Sequence, residues 1–113
     1  MKWNEIKERK YAEISSALQR TVTYEPNNFE TWAKAIEVVG DLAEPLVKDG
    51  TLADYQVICD EETNTQEVKD MHMFVLQFGW RVEDGDPWTF CEFTVGPNGT
   101  EACYSSCKID EEI

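Results

Sequence analysis

Residues 29 to 47 constrain this chain more than any other stretch. Phe29, Trp32, Ala33, Ile36, Val39, Gly40, Ala43, Leu46 and Val47 recur at i, i+3 and i+4, the spacing that gathers side chains on one face of an α-helix. Asn27 or Asn28 can cap its start, Glu30 follows Asn27 by three residues as in a capping box, and acid lies in the first turn. Pro26 biases Glu25 away from helix just upstream. Pro45 interrupts the stripe and predicts a kink in the last turn, and Gly50 is a natural stop. A helix so one-sided draws most of its stability from whatever covers its apolar face. The remainder of the chain must supply that cover.

Upstream, Trp3, Ile6, Tyr11, Ile14, Ala17 and Leu18 repeat at helical spacing among charged residues, predicting an amphipathic helix ending near Arg20. Thr21-Val22-Thr23-Tyr24 reads as extended, because β-branched and aromatic side chains favour strands. Downstream the period changes from helical to two. Tyr55, Val57 and Cys59 alternate with Gln56 and Ile58, and Asp60 to Thr65 is a polar turn. Across Met71 to Val82, Phe74, Leu76, Phe78, Trp80 and Val82 share one strand face, with His72 beside them. Asp84-Gly85-Asp86-Pro87 turns into a strand from Trp88 to Val95. Gly96-Pro97-Asn98-Gly99 is a hairpin signal, and a turn on Asn98-Gly99 sets Phe93 opposite Tyr104 and Val95 opposite Ala102. The expected fold is α+β. Two N-terminal helices pack on one face of a three- to four-stranded, mainly antiparallel sheet, in a single domain over residues 1–113.

Charge narrows the function. The chain carries 23 acidic and 10 basic side chains, a formal net charge of −13. Such a surface repels a phosphate backbone, so direct nucleic-acid binding is not expected. A basic protein partner, or a neighbouring subunit of complementary charge, suits it better. The opening residues Met1-Lys2-Trp3-Asn4-Glu5 bear charge where a secretion signal has an apolar run, and no apolar stretch is long enough to cross a bilayer. The expected compartment is a cytosol, with no membrane partner. There Cys59, Cys91, Cys103 and Cys107 are expected as free, buried thiols. Only Cys103 and Cys107 are close in sequence, and their spacing matches neither a zinc pair nor a disulfide on a strand. His72, the single histidine, has no evident catalytic partner. Neither Asp60-Glu61-Glu62 nor Glu83-Asp84-Asp86 follows the ligand order of a calcium loop, and no phosphate loop or nucleophile elbow occurs. No catalytic residue, cofactor or metal is expected, and the chain is not expected to be an enzyme.

One family resemblance runs through these motifs. Tyr24-Glu25-Pro26-Asn27 followed by Trp32 resembles the segment that opens a long helix in the C-terminal domain of contractile phage tail sheath proteins. Leu46-Val47-Lys48-Asp49-Gly50 resembles the end of that helix. Val57-Ile58-Cys59-Asp60 with Asn64 in the following turn resembles the family's next strand and turn. Met71 to Val82, Asp86-Pro87 and Trp88 to Val95 can be laid on its last two strands in order. Sheath subunits are several times longer, with outer domains and strand-exchanging arms, and Glu101 to Ile109 has no counterpart among them.

The resemblance implies a structural protein of the virion tail, made in the host cytoplasm, as a sheath or a sheath-like neck or baseplate adaptor. It implies a homo-oligomeric ring of six-fold symmetry around a tube, joined by β-augmentation between subunits. The candidate exchanging arms are Thr21 to Tyr24 and the C-terminal Cys103 to Ile113, with Cys103, Tyr104, Ile109 and Ile113 as contacts. The candidate contacts with a basic tube or other tail proteins are Asp60, Glu61 and Glu62, then Glu83, Asp84 and Asp86. Two readings compete. A monomeric acidic phage inhibitor would mimic DNA on a host nucleic-acid-binding protein and needs one dense acidic face. A thiol enzyme built on Cys59 or Cys91 with His72 needs a thiol of depressed pKa.

Overall fold

A computed structural model describes residues 2–96 and 99–103. Helix α1 (Trp3–Val22) and helix α2 (Phe29–Lys48) come first, then strand β1 (Asp54–Ile58), a short helix α3 (Gln66–Asp70), and strands β2 (Phe74–Arg81), β3 (Thr89–Gly96) and β4 (Gly99–Cys103). The strands form one antiparallel meander in the order β1-β2-β3-β4. Helix α1 lies against α2, β3 and β4, and α2 lies against β1. The α+β architecture expected from the change of period is the one observed. No helix among the described residues is long and apolar enough to cross a membrane.

The core lies between the helices and one face of the sheet. Helix α1 contributes Trp3, Ile6, Tyr11, Ile14, Leu18 and Val22. From α2 come Trp32, Ala35, Val39, Ala43 and Leu46. Facing them are Phe74, Leu76 and Phe78 of β2 and Cys91, Phe93 and Val95 of β3, with Leu76 paired to Phe93 and Phe78 to Cys91. Burying each large apolar side chain stabilises the fold by about 1.5–3 kcal/mol. The Tyr11 ring meets Phe93 edge-on with centroids 5.7 Å apart. Its hydroxyl accepts a 3.0 Å hydrogen bond from Trp80 Nε1, so α1 is tied to β2 by a polar contact as well. On the opposite face Gly79 pairs with Phe90, whose ring lies where a Cβ of residue 79 would stand, 2.6 Å away.

Several local expectations are corrected. Thr21 and Val22 are helical, not extended. Val22 is buried on the face of Ile14 and Leu18, and the Thr21 hydroxyl donates to Ala17 O at 2.7 Å, so burial and a back-bond outweigh β propensity. Helix α2 is capped by Asn28, whose Oδ1 accepts from Glu30 N and Thr31 N. Glu30 is therefore at the second helical position, outside the capping-box geometry. The helix continues through Pro45 to Lys48. Strand β2 starts only at Phe74, because residues 66–70 form α3 and His72 takes a left-handed φ of 60° in the turn that follows. His72 is thus in that turn and not on the strand face. The β3–β4 register pairs Phe93 with Ala102, Val95 with Thr100 and Gly96 with Gly99, two residues away from the expected pairing. Gly99, at φ 125°, starts β4 and does not sit at the centre of the turn. A shift by two, unlike a shift by one, leaves the alternation of faces along a strand unchanged.

Candidate functional site

The motif residues of the sequence converge at one place. Asn27 Nδ2 donates to Met73 O at 2.9 Å and to Asn64 Oδ1 at 3.0 Å, while its Oδ1 accepts from Trp32 Nε1 at 2.6 Å. Asn64 is buried, and its side chain grips one residue of β2 with both ends. Oδ1 accepts from Val75 N at 2.8 Å, and Nδ2 donates to Val75 O at 2.9 Å. Ile58 pairs with Gln77, so continuing β1 would bring Asp60 opposite Val75. The Asn64 amide occupies that place as a substitute peptide group. The backbone is thereby free to leave the sheet at Cys59 without stranding buried donors or acceptors.

The departing chain forms a tight acidic turn. Asp60 Oδ1 accepts from Glu62 N at 2.9 Å and Thr63 N at 3.1 Å, and Asn64 N donates to Asp60 O at 2.9 Å. Asp60 thus holds the turn, whereas the Glu61 and Glu62 side chains stand exposed at its outer edge. Across from them runs one flank of α2. Phe29 is 73% exposed and Ile36 38%, with Ala33 between them on the same side. These three were expected in the buried stripe. The nine-residue stripe is in fact split: Trp32, Val39, Ala43 and Leu46 enter the core, and Phe29, Ala33 and Ile36 do not. Tyr55 covers the flank further along, its hydroxyl about 3.5 Å from the position of a Cβ on Gly40 and 2.9 Å from Glu44 Oε1. The turn at Asp60 carries the chain away before it reaches Phe29. What remains is a groove of about 440 Å³, floored by Phe29, Trp32, Ala33 and Ile36 and walled by Asp60, Glu61 and Glu62.

The second acidic cluster lies elsewhere. Glu83, Asp84 and Asp86 are exposed in the turn between β2 and β3, where Asp86 Oδ2 accepts from Glu83 N at 3.0 Å. Because Arg81 pairs with Asp54 and Gln77 with Ile58, this turn lies at the opposite end of β1 from Asp60. The two clusters expected to contact a partner are not brought together. Cys103 ends β4, while Tyr104, Ile109 and Ile113 lie outside the described residues, as does Cys107.

Cys59 forms the inner corner of the groove and is buried. Burial pushes its thiol up to about 12, against a weaker opposing hydrogen bond from Asn64. Its Sγ donates towards Val75 O at 3.7 Å. Burial thus moves this thiol in the direction opposite to that of an activated nucleophile. Among the described residues no three His, Cys, Asp or Glu side chains gather closely enough to hold a metal ion. No protein-family model, curated protein sequence or solved structure matches this chain. Sequence reasoning singled out Asp60, Glu61 and Glu62 but placed Phe29 and Ile36 inside. The lone signal against that was the width of the apolar stripe, more than a narrow five-residue edge strand can cover.

Proposed function

We propose that this chain is a non-enzymatic structural subunit of a contractile phage tail, a sheath or a sheath-like neck or baseplate adaptor in the virion. Made in the host cytoplasm, it assembles into six-fold rings around a tube by exchanging β-strands between subunits. The observation that carries this reading is the outer edge of β1, which no strand among the described residues pairs. The strand lies at one end of the meander, and its sequence Asp54-Tyr55-Gln56-Val57-Ile58 has neither the Pro nor the Lys that natural edges use to repel a further strand. An incoming segment can therefore extend the sheet through main-chain hydrogen bonds. Of the two candidate arms, Thr21 to Tyr24 is withdrawn because its first half is helix. The C-terminal segment beyond β4 remains the candidate donor. The inhibitor reading needs one dense acidic face, and the separation of the two acidic turns to opposite ends of β1 gives it less support.

The test is the mass of the protein in solution by light scattering coupled to size exclusion, across concentration and salt, for the full chain and for one lacking residues 104–113. Oligomers that grow with concentration and are weakened by the deletion are expected. A strict monomer at every concentration overturns self-assembly through β1.

A further inference from the structure

From the geometry of the groove we infer that it is a docking site for a basic, amphipathic segment of a partner protein, which inserts an apolar side chain between Phe29 and Ile36. This deepens the reading in which the Asp60–Glu62 turn meets a partner, and rests on it. The apolar floor is contiguous: Phe29, Ala33 and Ile36 are one turn apart along α2, so together they form a strip and not scattered exposed residues. Phe29 and Ile36 are exposed while Trp32, between them, is only 8% exposed, so the strip has a fixed base. Trp32 is locked by its hydrogen bond to Asn27 and by Lys69, whose Nζ lies 5.5 Å from the ring centre. The wall opposite is held by hydrogen bonds within the Asp60 turn, so the site is preformed.

Charge selects the occupant. Glu61 and Glu62 stand over the apolar floor with no ion pair to either among the described residues. Lys or Arg flanking an inserted apolar residue would meet them at the polar rim, where charge sets orientation and partner choice. Nucleic acid and anionic lipid are repelled by the same carboxylates. The chain's own C-terminal stretch Lys108-Ile109-Asp110-Glu111-Glu112 is itself acidic, so it is a poor match and a separate partner is favoured.

The probe is a fluorescein-labelled peptide of about two heptads, Leu and Lys in amphipathic helical spacing, titrated by anisotropy at low salt with a Glu-for-Lys peptide as control. Two charge-matched double variants separate docking from general attraction to an acidic protein. Glu61→Gln with Glu62→Gln removes two charges at the groove, and Glu83→Gln with Asp84→Asn removes two at the far end of β1; Asp60 and Asp86 are left because they hold their turns. The groove pair and Phe29→Ala are each expected to weaken Kd about tenfold, and the distal pair less than about twofold. Amide shifts on binding should centre on residues 29–36 and 59–62. Equal losses from the two double variants, no loss from Phe29→Ala, no binding, or shifts centred elsewhere would each overturn the proposal. Ring formation is read separately from the mass of the protein without peptide, so failure of docking and failure of self-assembly are distinct results.

Discussion

At the scale of single residues, Asn64 contributes most to the site's shape. Its amide satisfies both backbone groups of Val75 and is itself buried. Truncation to Ala leaves the buried Val75 N–H unpaired and its carbonyl with only the long contact to Cys59 Sγ, so Asn64→Ala should cost about 3 kcal/mol in urea denaturation. Asn64→Asp should cost more, because a carboxylate oxygen would replace Nδ2 opposite the Val75 carbonyl and bring a buried charge. Equal stability of Asp and Asn would show that the amide's orientation does not matter. This residue was noticed in the sequence only as an Asn in a turn. Nothing local could show that Asn27, 37 residues earlier, bonds to it. Side chains satisfying distant backbone leave no periodic trace, unlike an apolar face.

At the scale of elements, α2 was legible in extent and start, because both are local properties. Its N-cap is a local interaction too: Asn28→Ala should lose about 1 kcal/mol, with Asn28→Ser close to wild type, checked by the urea midpoint. An equal loss for Ser and Ala would contradict a capping role. The end of α1 was misread because Thr21 and Val22 have strand-forming side chains, and only packing of Val22 on the core reveals why the helix continues. The β3–β4 hairpin was recognised, but its register depends on which residues flank the turn. Helix α3 has five residues, and a polar segment that short carries no apolar period to detect.

At the scale of the whole molecule, folding favours the protonated forms of Cys59 and Tyr55. Burial raises Cys59 from its ordinary 9.0 to about 12. Burial, then the hydrogen bond with Glu44, raises Tyr55 above its ordinary 10.0. Above pH 9.0 the unfolded chain loses the Cys59 proton while the folded chain keeps it. Stability from the Cys59 thiol is therefore complete below pH 9.0 and is lost as pH rises towards about 12. The urea midpoint should hold up to that lower limit and then fall, and Cys59→Ala should flatten the fall. A midpoint that rises through this window would reverse the assignment. Composition and period alone determined the acidic charge, the two helices, the meander and the sides of β1 and β2 that turn inward. These follow from local spacing, which a chain carries wherever its parts end up. Only the tertiary structure decided that the two acidic turns are far apart, that Asn64 replaces a stretch of β1, and that Phe29, Ala33 and Ile36 stay uncovered. Each of these depends on where a strand ends relative to a helix distant in sequence. The physical reason is that β1 has only five residues and leaves the sheet before it can cover the first turns of α2.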